Sequence, residues 1–326
     1  MTRSRRLNLC ALAAWMAAAL TPAALAQPGT YPSQPIRIVV PYPAGGAGDF
    51  LARQYAAKLG GELKQTVLVD NRAGAGGLIG SDHVAKAKPD GYTLVLGSNS
   101  SHSIAPSVVK KMPYDPANDF APISLLIVTP YVVVVNPEVP AKTLQELIAL
   151  GKAKPDTLAF GSAGTGTTPH LAGELFSTMT GVKMRHIPYK GSGPMANDLL
   201  GGQIQLAFDN SVMAQIKGGK LRALAVTGPT RMASLPDVPT PTEAGLPGFE
   251  VLGWFGLYAP KGTPPEILAL LARETRKIMQ MPDLVERVNG FGLTPQSILQ
   301  AEFNAFLLSD QAKWAKVVKD ANIQPE

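Results

Sequence analysis

Twice along this 326-residue chain a short β-rich run ends in a glycine-rich loop and a helix begins at once. The first instance is Ile36-Arg37-Ile38-Val39-Val40, the loop Pro41-Tyr42-Pro43-Ala44-Gly45-Gly46-Ala47-Gly48-Asp49, and a helix over 52–63. The second is Leu158-Ala159-Phe160, the loop Gly161 to His170, and a helix over 169–180 closed by Gly181. A short unbroken apolar run reads as a strand buried on both faces, and the helix that follows supplies the cover. A mostly parallel sheet flanked by helices is therefore expected. The glycines permit unusual backbone dihedrals and let a ligand approach the main chain closely.

The alternation continues elsewhere. Val67-Leu68-Val69 reads as a strand, 79–87 as a helix, Pro89-Asp90-Gly91 as a turn and Thr93 to Leu96 as a third strand. Thr143 to Lys154 reads as a helix with a capping box, Thr143 at the N-cap and Glu146 three residues on. Val182–Ile187, Ile204–Phe208 and Leu221–Thr227 read as strands, and Met195–Leu200 as a helix. Two β-rich segments look different: Ile123 to Val135, interrupted by Pro130, and Val251 to Tyr258, with Trp254 and Phe255. They bracket the middle block. If both cross between lobes, one lobe holds 27–127 plus 253–326, including helices near 265–279 and 300–319. The other holds 128–252. A discontinuous lobe joined by two strands is a natural hinge.

The N-terminus has the order of an export signal. Arg3, Arg5 and Arg6 precede an apolar stretch of about 14 residues, Leu7 to Leu20, too short to span a bilayer. Ala24-Leu25-Ala26 is a small-x-small cleavage site, which puts the mature start at Gln27 and the protein in the periplasm. Ser4-Arg5-Arg6 partly resembles a twin-arginine signal, with the general secretory route the default. Cys10, the only cysteine, lies within the signal, so the mature chain is expected to carry no thiol. About 300 residues bury a core without disulfides and suit two lobes. Without Arg3, Arg5 and Arg6 there are 27 basic residues against 24 acidic, and no dense Lys/Arg block. That speaks against a nucleic-acid partner.

Chemistry concentrates in the two glycine-rich loops. Backbone N–H groups at a helix N-terminus, with the positive end of its dipole, form an anion site. The first loop lacks the Lys-Ser/Thr of a phosphate-binding P-loop and the spacing of G-x-G-x-x-G. It also reads as a tight turn with Asp49 capping the helix. The second, Gly161-Ser162-Ala163-Gly164-Thr165-Gly166-Thr167-Thr168-Pro169-His170, adds hydroxyl donors, and its threonines double as caps. Neither contains Arg or Lys from Tyr42 to Asp49 or from Gly161 to His170. One loop in each lobe would face the other across a cleft. His83, His102, His170 and His186 are scattered, with no metal-ligand spacing. Ser162-Ala163-Gly164 is no nucleophile elbow, because Phe160 stands where the first glycine belongs. Asp209-Asn210-Ser211 ends a strand, where α/β sheets place ligand contacts, and also fits an Asx turn. Trp254 and Phe255 suit a cleft wall or the core.

Motifs along the whole mature chain resemble the Bug family of periplasmic solute-binding receptors, the extracytoplasmic partners of tripartite tricarboxylate transporters. They are Ile38 to Gly46 with Asp49 and Ala52-Arg53, Val69-Asp70-Asn71-Arg72-Ala73-Gly74-Ala75-Gly76-Gly77, and Pro89-Asp90-Gly91-Tyr92-Thr93-Leu94. Next come Gly164-Thr165-Gly166 with His170-Leu171 and Glu174-Leu175, Pro188-Tyr189-Lys190-Gly191, and Asp198-Leu199-Leu200-Gly201-Gly202. Leu235-Pro236-Asp237-Val238-Pro239-Thr240 and Ala259-Pro260-Lys261-Gly262-Thr263-Pro264 complete the set. The resemblance implies a type II periplasmic-binding fold: two α/β lobes joined by two crossing strands, closing by a hinge over a carboxylate. It also implies contacts from Tyr42, Ala44, Gly45, Gly46 and Asp49 on one lobe. Gly164, Thr165, Thr167, His170 and Asp209 would serve on the other, with Ser98 to Ser101 a further candidate group. Typical members carry Phe where Tyr42 stands, and often Pro at Ala44, so ligand preference stays open. The expected protein is a monomeric, cofactor-free, non-catalytic receptor. It would hand a dicarboxylate, tricarboxylate, amino acid or aromatic acid to membrane transporter subunits. A ligand sensor with a signalling partner shares the same pocket, and a periplasmic hydrolase would need a nucleophile beside a base in the cleft.

Overall fold

The computed structural model describes residues 31–320 and 323–325. The expected signal, its Ala24-Leu25-Ala26 cleavage site and Cys10 lie outside the described residues.

The elements run β1 (Ile36–Val40), α1 (Ala47–Leu63), β2 (Val67–Asn71), α2 (Leu78–Ala85), β3 (Thr93–Ser98), α3 (Ala105–Val108), β4 (Phe120–Pro130) and β5 (Val132–Val135). Then follow α4 (Leu144–Ala153), β6 (Leu158–Ser162), α5 (Thr168–Thr180), β7 (Met184–Pro188), α6 (Ser192–Leu200), β8 (Leu206–Phe208), α7 (Met213–Lys217) and β9 (Arg222–Val226). The chain ends with β10 (Leu252–Pro260), α8 (Pro265–Ile278), α9 (Pro282–Gly290), β11 (Thr294–Leu299) and α10 (Gln300–Asp320). Two sheets result, six-stranded in the order β11-β4-β10-β3-β1-β2 and five-stranded in the order β7-β6-β8-β5-β9. In the first, β1 runs parallel to β2 and β3 while β10 is antiparallel to β3 and β4. In the second, β6 runs parallel to β7 and β8 while β5 is antiparallel to β8 and β9. Every strand with a parallel partner is followed by a helix. Ile36, Ile38, Val39 and Val40 are wholly buried, as their unbroken apolar run requires.

The two β-rich segments that break the pattern join the sheets. Ile123–Val135 is not one strand: β4 belongs to the first sheet, β5 to the second, and Tyr131 stands between them. Pro130, which has no N–H to continue a ladder, occupies the changeover, opposite Leu252 at the start of β10. Thr129 pairs with Gly253 one step inside. A single hydroxyl ties the junction. Thr227 Oγ1 accepts from Tyr131 N at 2.8 Å and donates to Val251 O at 2.5 Å. Backbone bonds Thr227 N to Tyr131 O, 2.8 Å, and Val251 N to Thr227 O, 3.0 Å, complete it.

Each sheet has its own core. Tyr114, Phe120, Trp254, Tyr258, Phe303 and Leu307 pack against the first. Val133, Val135, Phe160, Phe176, Phe208 and Phe249 pack against the second. The C-terminal helix does not stay with the first: Trp314 and Val318, from its distal half, are wholly or nearly buried in the second core, as are Ile104 and Val108.

Candidate functional site

The facing ends of β1 and β6 carry the two glycine-rich loops. Helix α1 starts at Ala47, five residues before the expected Ala52, although Gly48 is a poor helix former. Asp49 compensates. Its Oδ2 accepts from Gly45 N and from Arg53 Nε, each at 3.0 Å, and its Oδ1 lies 2.9 Å from Arg53 Nη2. Burial raises the Asp49 carboxyl, but the Arg53 guanidinium and the Gly45 N–H outweigh that and hold it below the usual carboxylate range. Gly45 has φ +89°, a left-handed backbone natural only to glycine. At the N-cap, Gly46 is extended, with φ −83° and ψ 176°, and no side chain caps the first turn of α1. The positive end of that helix is left open.

The second loop repeats the device with different chemistry. Gly166 N donates to His170 Nδ1 at 3.1 Å, which puts the proton of the neutral ring on Nε2. His170 stacks on His186 at 4.0 Å and 17°. Burial pushes the His170 imidazole down to about 4. Burial, aided by the neighbouring His170, pushes His186 down to about 3. Both are neutral at physiological pH. Thr167, the N-cap of α5, donates its hydroxyl proton to Gly164 O at 2.6 Å and does not cap its helix. Thr165 stands exposed at the loop tip.

The polar floor lies between. The Tyr42 hydroxyl, raised above its ordinary pKa by burial, is hydrogen-bonded to Ser98 Oγ. Phe255 meets the Tyr42 ring edge-on at 6.0 Å and supports the loop, while Trp254 is wholly core. Ser100 Oγ accepts from Thr168 N at 3.2 Å, a bond from the first sheet's floor to the second sheet's helix. Each glycine-rich loop also approaches a neighbouring element, the second loop helix α3 and the first loop the start of α6. A β-carbon built on Gly166 would lie 3.0 Å from Val108 Cγ2, and one on Gly191 would lie 3.1 Å from Pro43 Cγ.

The sequence candidates have different duties. Tyr42 and Ser98 are bonded to each other, and Ala44, Gly45 and Gly46 stand at least partly exposed in the first loop. Gly164 and Thr165 do so in the second. The Asp49 carboxylate and the His170 ring are turned into their own loops, and the Thr167 proton is committed to Gly164 O. Asp209 is 2 % exposed and forms the Asx turn, its Oδ1 accepting from Ser211 N at 2.7 Å, while Ser192 Oγ donates to Oδ2 at 2.8 Å. Burial raises its carboxyl, partly offset by Ser211 and Ser192.

Two contributors went unread in the sequence. The N-terminus of α6, Gly191-Ser192, reaches Pro43 and Asp209. Its signal was there, a third strand–glycine–helix junction after β7. The second is Tyr131, whose hydroxyl is directed toward Thr168 from the strand junction. A hydroxyl does stand beside an imidazole, Ser162 Oγ to His186 Nε2 at 2.7 Å. Ser162 is 0 % exposed and already accepts from Gly164 N at 3.1 Å, which keeps it from any substrate. Among the described residues no group of three or more His, Cys, Asp or Glu could hold a metal ion.

The chain is similar to known proteins along most of its length. The protein BugT of Bordetella pertussis is 40% identical over 320 residues, 96% of this chain and 98% of BugT. An R. palustris protein solved with adipate superposes with a TM-score of 0.88 at 36% identity, covering 91% of this chain and 100% of that one. The periplasmic binding protein BugD superposes with a TM-score of 0.86 at 36% identity, covering 91% and 100%. Residues 51–323 match the tripartite tricarboxylate transporter family receptor. The chain belongs to that family, the TctC or Bug solute-binding receptors, which bind and deliver rather than catalyse.

Proposed function

We propose that the chain is exported, cleaved after Ala26, and works in the periplasm as a monomeric receptor for a small dicarboxylate. The lobes would be 27–127 plus 253–326 and 128–252, closing about the Thr129–Gly253 pair. The observation that carries the ligand class is the N-terminus of α1, which has no side-chain cap, together with the absence of Arg and Lys from both glycine-rich loops; at α5 the Thr168 N–H is already taken by Ser100 Oγ and Pro169 has none to offer. A receptor that used a salt bridge would place a guanidinium there. Here the anion is held by main-chain N–H groups, each worth roughly 0.3–2 kcal/mol, with hydroxyls and water completing the shell. Asp49 and His170 act by setting the shape of their loops, and Asp209 with Ser192 fixes the third helix end. Adipate in a structure at 36% identity supports a carboxylate with two charged ends, and a cleft with anion sites in both lobes suits that length. Ligand contact with both lobes is what gives the closed form its differential affinity. Delivery is then to the membrane subunits of a tripartite transporter.

A thermal-shift screen of the protein beginning at Gln27, against di- and tricarboxylates, amino acids and aromatic acids, tests this. Binding to the native state raises the melting temperature by mass action. Stabilisation by dicarboxylates and by few of the monoacids is the expected result. A response confined to aromatic monoacids or to uncharged solutes would refute the dicarboxylate reading.

A further inference from the structure

The C-terminal helix α10 spans both cores without entering the cleft. Phe303 and Leu307 anchor its first half in the core of the first sheet, and Trp314 and Val318 anchor its second half in that of the other. Between these anchors it carries two polar side chains that face inward. Gln311 Nε2 donates to His102 O at 2.8 Å. Asp310 Oδ2 accepts from Trp254 Nε1 at 2.7 Å; burial raises its carboxyl, partly offset by Trp254 and Ser103.

Both bonds end on elements that build the cleft. His102 and Ser103 belong to the wide helical turn Ser100–Ile104, whose front face supplies Ser100 to the bond with Thr168 N. Trp254 lies on β10, one residue from the hinge pair Gly253–Thr129 and next to Phe255, which supports Tyr42. The turn is also backed by strands and loops: His102 packs on Phe120 of β4 and on Tyr258 of β10, with ring centroids 4.9 and 4.6 Å away, and the Tyr114 hydroxyl donates to Ser101 O at 2.7 Å. His102 and Ile104 pack among apolar side chains, but the serines of the turn need directional bonds to hold their geometry, and the Gln311 bond to His102 O anchors the main chain between them.

We infer that Asp310 and Gln311 are positioning residues for ligand capture: from the C-terminal helix they hold the Ser98–Ser103 floor and the β10 crossing in register, although neither touches the ligand. This rests on the reading of the cleft as the ligand site.

The test uses the mature full chain and three variants: Gln311→Met, which keeps helix packing but cannot donate; Asp310→Ala; and Asp310→Asn, which keeps an oxygen for the Trp254 N–H. Hydrogen exchange on the ligand-free proteins is read for peptides spanning 98–104, with 158–162 as the control. Calorimetry with adipate, succinate and citrate gives Kd. Gln311→Met and Asp310→Ala should exchange faster in 98–104 and not in 158–162. Each should weaken the best-bound acid about 3- to 10-fold, the size of one lost hydrogen bond. Asp310→Asn should restore both readouts. Unchanged exchange in 98–104 in both disruptive variants would overturn the inference, as would faster exchange there with unaltered Kd. If none of the acids binds the wild type, the ligand reading of the cleft falls, and the exchange data still decide whether α10 holds the floor.

Discussion

The two glycine-rich loops solve one problem with opposite chemistry. In each, the N–H of the glycine two residues before the helix is taken by the side chain four residues later, Gly45 by Asp49 and Gly166 by His170. Helix α4 uses the same bracket, Lys142 N to Glu146 Oε2 at 2.6 Å, and adds a true cap, Glu146 N to Thr143 Oγ1 at 3.1 Å. At α1 and α5 that cap is missing: Gly46 has no side chain, and Thr167 turns its hydroxyl to Gly164 O. The bracket sets the loop in all three. The end of α1 is left open to an anion, whereas at α5 Ser100 Oγ takes the Thr168 N–H and Pro169 has none. The loops also differ in charge, since an ionised carboxylate with its arginine braces the first and a neutral imidazole the second. The first is thus insensitive to mild acid and the second is not.

Blocking the open end should have the largest effect. A β-carbon on Gly46 would meet only Pro43 O, at 3.9 Å, and its backbone suits a β-branched residue. Gly46→Val is therefore expected to fold normally and lose about 100-fold or more in affinity, ~2.7 kcal/mol, by calorimetry. Near-wild-type binding would place the carboxylate away from α1.

Removing a bracket should cost less in affinity and more in stability. Asp49→Ala strands the Gly45 N–H and is expected to lose about 1–3 kcal/mol in urea unfolding and roughly tenfold in affinity. Asp49→Asn retains an acceptor and should lose far less, because Arg53 is half exposed and its ion pair is screened. Equal losses in the two variants would show that charge, not the bracket, matters.

The sheet grammar was legible because buried strands and the glycines between strand and helix leave strong local signals. Thr143 as N-cap and Gly181 as the left-handed C-cap were read correctly for the same reason. The start of α1 was missed because glycine propensity argued against it and a side-chain bond from Asp49 overrode it. Strand β11 and helix α9 also escaped. A strand with Pro295 inside it reads as a loop until β4 supplies a partner. The Thr227 junction and the two-core span of α10 depend on residues far apart in sequence, which no local pattern reports. Among site residues, position was easier to read than duty. Asp49, Thr167 and His170 were read as ligand contacts, yet they bond to their own loops.

Acid should separate the loops further. Folding lowers His170 to about 4 and His186 to about 3, below the ordinary value near 6.5. The unfolded chain therefore binds more protons between pH 6.5 and 4, so stability falls as pH falls through that window. The raised carboxyls of Asp209 and Asp310 act in the opposite direction, so the test is a difference. His170→Asn with His186→Gln, which keep comparable hydrogen-bonding atoms, should flatten the slope of unfolding free energy between pH 6.5 and 4.5 by up to about 1.4 kcal/mol per pH unit per histidine. An unchanged slope would mean that the pair is protonated in the fold.

Thr167→Ala should be the mildest. The sequence suggested a direct hydroxyl contact with the anion, but the proton goes to Gly164 O, so the loss is expected to be about 0.5–1.5 kcal/mol through loop order alone. A larger drop in calorimetric affinity would mean that the hydroxyl turns to the ligand on binding.

The most direct measurement is a crystal structure of the mature protein with the best-bound dicarboxylate. The expected result puts one carboxylate within about 3 Å of main-chain N–H groups in the first turn of α1, with α5 or α6 holding the ligand from the other lobe. A carboxylate paired with an arginine or lysine side chain, or a ligand held by one lobe only, would contradict the account.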